Sequence, residues 1–373
     1  MPAPSDISEI QWSWGPGQSV LALLAGGRIV ELAIERPDRL LGTVCLGRVS
    51  AVDRSLDAAF IQLGLGETPG FLPGAKARGL NDGQSLVVRV IAEARAGKGP
   101  KLSTDPGGCP ASILEAAASA RIPSPLWRPH VLETLLAAHP GARRVVVNDA
   151  AALAEARRFF PDAAQAPLSD LDEAVEAALN PVVALPSGGR LVIESTAALT
   201  AIDVDSGAGR PADANREAVA EIARQSRLRG LGGQIVVDFV SGPKGTPYRM
   251  AAALKKAVAA DPTPTHVFGV SPLGLVEMSR ERRGIPLADV LCRRSLVASA
   301  DSLALTALRR VLAEAGLRPA ARLGLVLAPE VFAALARQGE ALAETERRLG
   351  RPLALRQDAA RDRDDIVIED ART

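Results

Sequence analysis

Two apolar runs most constrain what this chain can become. "ALTAID" (198–203) and "QIVVD" (234–238) each end in an aspartate, and the helically spaced "DANREAVAEIARQSRLRG" (213–230) joins them. Apolar strands linked by a helix are expected to share one sheet. If the two strands are neighbours, Asp203 and Asp238 emerge at the same rim. Asp205 follows two residues after Asp203, then Ser206 and a pair of glycines. Carboxylates a few ångströms apart repel unless they are protonated or bridged by a cation. Magnesium binds through one or two carboxylates plus substrate phosphates, which is the arrangement of metal-assisted phosphodiester cleavage. The competing reading makes Asp205-Ser206-Gly207 a turn and Asp238 a cap for the next segment, and pattern alone leaves both open. The joining helix would take Asp213 or Asn215 as its cap and stop at Gly230. The glycines after Asp205 read as a pliable loop.

Composition bounds the partners. The 373 residues carry a formal charge of +1, so any nucleic-acid contact must come from local patches. Hydrophobic residues make up 47% and aromatics 3%, so the core must be filled by Ala, Leu and Val. Cys45, Cys109 and Cys292 lie far apart with no CxxC or Cys/His cluster, which argues against a structural zinc site and a disulfide framework. The N-terminal segment lacks an apolar signal region, and apolar stretches end before the length a membrane span needs. The expectation is a cytoplasmic protein without membrane contact.

Along the chain, "QSVLALLAGGRIVELAIER" reads as two strands around a Gly-Gly turn. From Leu41, short β-branched runs punctuated by glycine predict a small antiparallel barrel. Helices and one strand follow to Asn180, and "VVALPSGGRLVIES" reads as a hairpin. "THVFGVSPLGLVEMSRER" reads as a strand, a turn and a helix start, and the C-terminal residues as a small α+β unit. Within the barrel segment, Phe60, Phe71, Lys98 and Lys101 are candidates for stacking bases and tracking phosphates, although phenylalanines filling the barrel core fit the pattern too. "AGKGPKLS" lacks phosphate-loop spacing. His130, His139 and His266 are isolated, and no serine lies in a GxSxG elbow, so acyl transfer has no support.

Several segments together resemble the ribonuclease E/G family: "ALTAIDVDSG", "REAVAEIARQSRLRGLGGQIVVDF", "FGVSPLGLVEMSRER" and "GRVSAVDRSLDAAFIQLGLGETPGFLP". The resemblance implies an RNase H-like layer interrupted by an S1-motif (OB-type) barrel, then a DNase I-like catalytic subdomain and a small α+β domain. The expected boundaries are 1–40 and 109–180 for the interrupted layer, 41–108 for a clipped barrel, 181–290 for the catalytic part and 291–373 for the end. It implies magnesium held by Asp203 and Asp238, and single-stranded RNA cleaved to leave 5′-phosphate and 3′-hydroxyl ends, in RNA processing or decay. The family's base-stacking aromatics fall on Phe60 and Phe71 and its basic barrel residue on Lys98, while Arg280 in "EMSRER" is a further candidate for phosphate contact. Asp205 stands where the family has an asparagine, which exchanges a donor for a negative charge. That makes Asp205 an adjunct ligand, a water-positioning group or an impairment. Ser241 stands where the family has an acid. The 5′-monophosphate sensor insert is missing, and Cys292 alone replaces the zinc link. No zinc-linked tetramer is therefore expected, which leaves a homodimer as the assembly to test. The rival expectation is an RNA-binding protein on the same scaffold that does not cleave.

Overall fold

In the computed structural model, which describes residues 7–74, 79–95, 97–293 and 295–371, the chain forms two compact units, Met1–Cys292 and Arg293–Thr373. The first begins with β1 (Glu9–Ser13), β2 (Ser19–Ala25) and β3 (Arg28–Glu35). Gly26 and Gly27 have φ of +58° and +75°. Both lie in the left-handed region that a two-residue type I′ turn requires, which gives the hairpin read from the sequence.

The barrel strands are β4 (Val44–Asp53), β5 (Ala58–Gln62), β6 (Gly70–Pro73), β7 (Ser85–Ala92) and β8 (Lys101–Ser103). They pair in the ring β4-β5-β6-β8-β7 and back to β4, with β6 and β8 parallel and the other pairs antiparallel. This closed five-stranded ring is consistent with an S1-like barrel. The three residues of β8 suffice to close it. The Phe71 amide donates to the Pro100 carbonyl at 2.7 Å. Gly99 allows that approach, since a Cβ there would lie 1.8 Å from the Pro69 carbonyl oxygen. Cys45, Val49, Ile61, Leu72, Val88 and Leu102 fill the interior.

After the barrel come α1 (Ala111–Ala116), β9 (Ser124–Trp127), α2 (Val131–Ala138), β10 (Arg144–Val147), α3 (Ala150–Ala156), β11 (Ala164–Gln165) and α4 (Leu171–Leu179). β10 pairs in parallel with β1, giving a mixed sheet of order β11-β10-β1-β2-β3. One sheet is thus built from chain on both sides of the barrel.

The second large sheet uses β12 (Val182–Ala184), β13 (Arg190–Ser195), β14 (Leu199–Asp205), β15 (Gly233–Asp238), β16 (Thr265–Val270) and β17 (Val276–Arg280) in the order β12-β13-β14-β15-β17-β16. α5 (Pro211–Leu228) and α6 (Thr246–Val258) cover one face, and α7 (Leu287–Leu291) closes the unit. Ile202, Val204, Ile235, Val237, Val276 and Met278 pack there against Ala218, Ile222 and Leu254. Two local expectations change. Residues 276–280 form a strand rather than a helix start, because Val276, Met278 and Arg280 alternate inward against the exposed Glu277 and half-buried Ser279. α5 begins at Pro211, favoured at a first helical position, so Asp213 and Asn215 lie inside the helix rather than capping it.

The second unit holds α8 (Ala300–Leu317), β18 (Leu323–Leu327), α9 (Pro329–Arg337), α10 (Gly339–Leu349), β19 (Ala354–Gln357) and β20 (Val367–Asp370), with sheet order β19-β18-β20. Its core includes Leu308, Val311, Leu325, Val331 and Leu335. Among the described residues, no helix is long and apolar enough to cross a membrane.

Candidate active site

The sequence "AIDVD" alternates because its sheet is covered on one side only. Ile202 and Val204 face the helices, so Asp203 and Asp205 face away from them. β14 and β15 are parallel, and Asp203 is in direct register with Asp238. Residues in register share a face, and neighbouring strands are spaced about 4.8 Å, so two acids distant in sequence stand side by side, one at the end of β15 and one two residues before the end of β14. Both are exposed, and neither has a hydrogen-bond or ion-pair partner among the described residues. Glu277, in register with Val236 of β15, adds a further acid to this open face.

Asp205 is differently placed. Its Oδ1 accepts the Gly207 amide at 2.8 Å, and Arg190 of β13 lies 2.7 Å from Oδ2. The Gly207 hydrogen bond holds its carboxyl below the ordinary value, opposed by desolvation and aided by Arg190. Asp205 therefore shapes the turn, as the competing reading had it. The glycines that follow are not there for pliability. A Cβ at Gly207 would lie 2.7 Å from the Gly188 carbonyl oxygen, and one at Gly209 2.5 Å from that of Ser187. The loop after Asp205 lies backbone against backbone on the β12–β13 turn. Glu217 of α5 accepts the Ser187 amide at 2.9 Å and anchors that turn.

Asn215 is a residue whose role the sequence did not disclose. It is 2% exposed, its Nδ2 donates to the Val240 carbonyl at 2.9 Å, and its Oδ1 accepts the Val240 amide at 3.0 Å. This two-point clamp fixes the chain just beyond Asp238. Its signal in the sequence was an amide at helical spacing from the buried Ala218 and Ile222.

The barrel brings another set together. Phe60 and Phe71 are cross-strand partners, with ring centroids 5.9 Å apart at 62°. Both are half-buried and neither belongs to the barrel core, so they lie on its outer wall. Lys101 is in register with Phe71 and exposed, and exposed Lys98 sits one residue before Gly99. Phe60, Phe71 and Lys101 thus share one stretch of the barrel's outer wall. Arg280, the further candidate for phosphate contact, does not belong to any such surface. It is 8% exposed, its Nε and Nη2 donate to Asp261 at 2.8 and 3.1 Å, and its Nη1 donates to the Leu231 carbonyl at 2.8 Å. Its inward strand position directs the guanidinium into the protein.

The Asp203–Asp238 pair suits a hard divalent cation in chemistry: two unpartnered carboxylates, side by side, open to solvent. Among the described residues there is no group of three or more His, Cys, Asp or Glu that would hold a metal. An ion there would complete its oxygen shell from substrate and solvent, as magnesium commonly does.

Fold and site define an α+β protein with a closed five-stranded barrel and a pair of free carboxylates at the rim of a helix-backed sheet. Residues 141–283 match the model of the ribonuclease E/G family. The chain is 40% identical over 134 residues to ribonuclease G of Salmonella typhimurium (strain SL1344), covering 34% of this chain and 27% of that protein. It is 41% identical over 164 residues to ribonuclease E of Escherichia coli (strain K12), covering 39% and 15%, and 43% identical over 123 residues to ribonuclease E of Nostoc sp. (strain PCC 7120 / SAG 25.82 / UTEX 2576), covering 31% and 18%. Over that segment the chain is similar to the ribonuclease E/G family. The match to the chain spans under a third of the length of each of these three relatives and leaves the barrel outside the residues the family model covers.

Proposed function

We propose that the protein is a magnesium-dependent endoribonuclease that cuts single-stranded RNA in the cytoplasm and leaves 5′-phosphate ends. The observation that carries this reading is the direct register of Asp203 with Asp238 on the open face of the sheet. These two carboxylates hold the ion. When bound, it supplies Lewis-acid stabilisation of the charge that develops on the phosphate. Asn215 positions the Asp238 strand exit through Val240, and the glycine loop with Arg190 keeps Asp205 turned into its own hairpin. Phe60 and Phe71 stack bases, and Lys98 and Lys101 contact phosphates, which places the strand on the barrel. In this reading the first sheet is RNase H-like, interrupted by an S1-motif barrel, and the second is the DNase I-like catalytic part.

Asp205 favours one alternative. With both oxygens engaged, it donates nothing to a phosphate and adds negative charge beside one, which suits an RNA-binding protein that does not cleave. Incubating the protein with 5′-labelled single-stranded RNA, with magnesium and with chelator, separates the two. Magnesium-dependent fragments carrying 5′-phosphates support the nuclease. A shifted but intact RNA supports the alternative.

A further inference from the structure

The edge strand β16 carries an irregularity on the same face as the paired aspartates. Its register with β17 passes from Val267↔Met278 to Gly269↔Glu277, so Phe268 is an extra residue. In such a bulge two residues oppose one on the neighbouring strand, and the side chain of the extra residue is re-aimed. Val267 packs on the helical side with the core, whereas Phe268 is 71% exposed and shares the side of Glu277. Glu277 is in register with Val236, two residues before Asp238 on that face. β16 lies two strands from β15, about 10 Å across the sheet. The next position on the strand is open as well, since a Cβ built on Gly269 would meet nothing within 4 Å.

A single exposed apolar side chain needs no special account. Here, though, a chain with only seven phenylalanines uses a bulge to turn one onto an acidic, solvent-facing surface beside its two free carboxylates. Base–aromatic stacking is what such a ring offers to a strand whose phosphate lies at those carboxylates.

We propose that Phe268, re-aimed by the β16 bulge onto the open face beside Asp238, is a stacking platform for one unpaired base flanking the phosphate held at Asp203 and Asp238. This positioning role rests on the nuclease reading above. The experiment uses the full chain with both aspartates intact, and measures anisotropy of a labelled single-stranded RNA with calcium in place of magnesium so that the strand stays intact. One abasic residue is moved along the RNA. Binding is expected to weaken about tenfold at one abasic position. Phe268→Leu should weaken the intact RNA by the same factor and erase that abasic sensitivity, while Phe268→Tyr restores both. Phe268→Trp should bind with quenching of its indole emission, which decides the matter if the leucine variant melts early. An abasic profile unchanged in Phe268→Leu, or a Phe268→Trp indole unmoved by RNA, overturns the platform. Failure of the protein to cleave RNA in magnesium would remove the nuclease reading while leaving the abasic profile to decide the stacking site.

Discussion

Arg280→Met separates a structural role from an RNA-contacting one. The native guanidinium makes two hydrogen bonds to Asp261 and one to the Leu231 carbonyl, and the side chains are 8% and 4% exposed. Removing one partner of a buried pair leaves an uncompensated charge and costs about 3–5 kcal/mol. Asp261 keeps only lesser partners, the Thr263 amide at 2.9 Å and the Thr265 hydroxyl at 3.5 Å. At roughly 2–4 °C per kcal/mol for a unit of this size, the melting temperature should fall on the order of 10 °C. Adding Asp261→Leu removes the stranded charge and should recover most of that loss, since apolar replacement of a buried pair is often near neutral. The assay is thermal melting of the three variants, run beside RNA binding across a salt series. A phosphate contact would instead leave the melting temperature unchanged and lower the salt slope by about one. That pair of results would refute the internal assignment.

Three further outcomes follow from the same geometry. Gly209→Ala forces a Cβ to 2.5 Å from the Ser187 carbonyl oxygen; a destabilisation of about 1–3 kcal/mol is expected in denaturant melts, and an unchanged midpoint would count against a tight loop. Phe71→Ala should weaken RNA binding by about 1–3 kcal/mol and Lys101→Ala should lower the salt slope by about one, whereas a barrel outside the RNA path would show neither. Burial raises the Glu31 carboxyl above its ordinary 4.5, opposed by Arg227 and Arg280. The folded protein then holds that proton more tightly than the unfolded chain, so the stabilisation is full below 4.5 and is lost as pH rises through the raised value. Glu31→Gln should gain melting temperature relative to wild type across that rise, and a pH-independent difference would contradict this.

What was legible in the sequence and what was not divides along physical lines. The apolar runs "ALTAID" and "QIVVD" showed their strands, and the Gly26–Gly27 turn showed its hairpin, whereas the side-by-side placement of the two acids needed the register of the folded sheet. Arg280 was hidden because a charged residue on an inward strand position needs a partner, and Asp261 is identified as one only by the folded backbone. The same strand was misread as a helix start because five residues carry too few turns to distinguish the periods. Barrel closure depended on a three-residue strand and a close approach at Gly99, neither of which leaves a periodic trace. Asn215 was read as a cap because an asparagine near a helix start is favoured there, while its bonds to Val240 are tertiary.

The shared ion is tested most directly by the cleavage rates of Asp203→Asn, Asp238→Asn and the double variant on one labelled RNA. Groups that act as a unit are strongly non-additive, so each single substitution should abolish nearly all magnesium-dependent cleavage and the double should lose little more, with RNA affinity kept. Wild-type rates in either single variant, or losses that multiply in the double, would contradict two carboxylates acting on one cation.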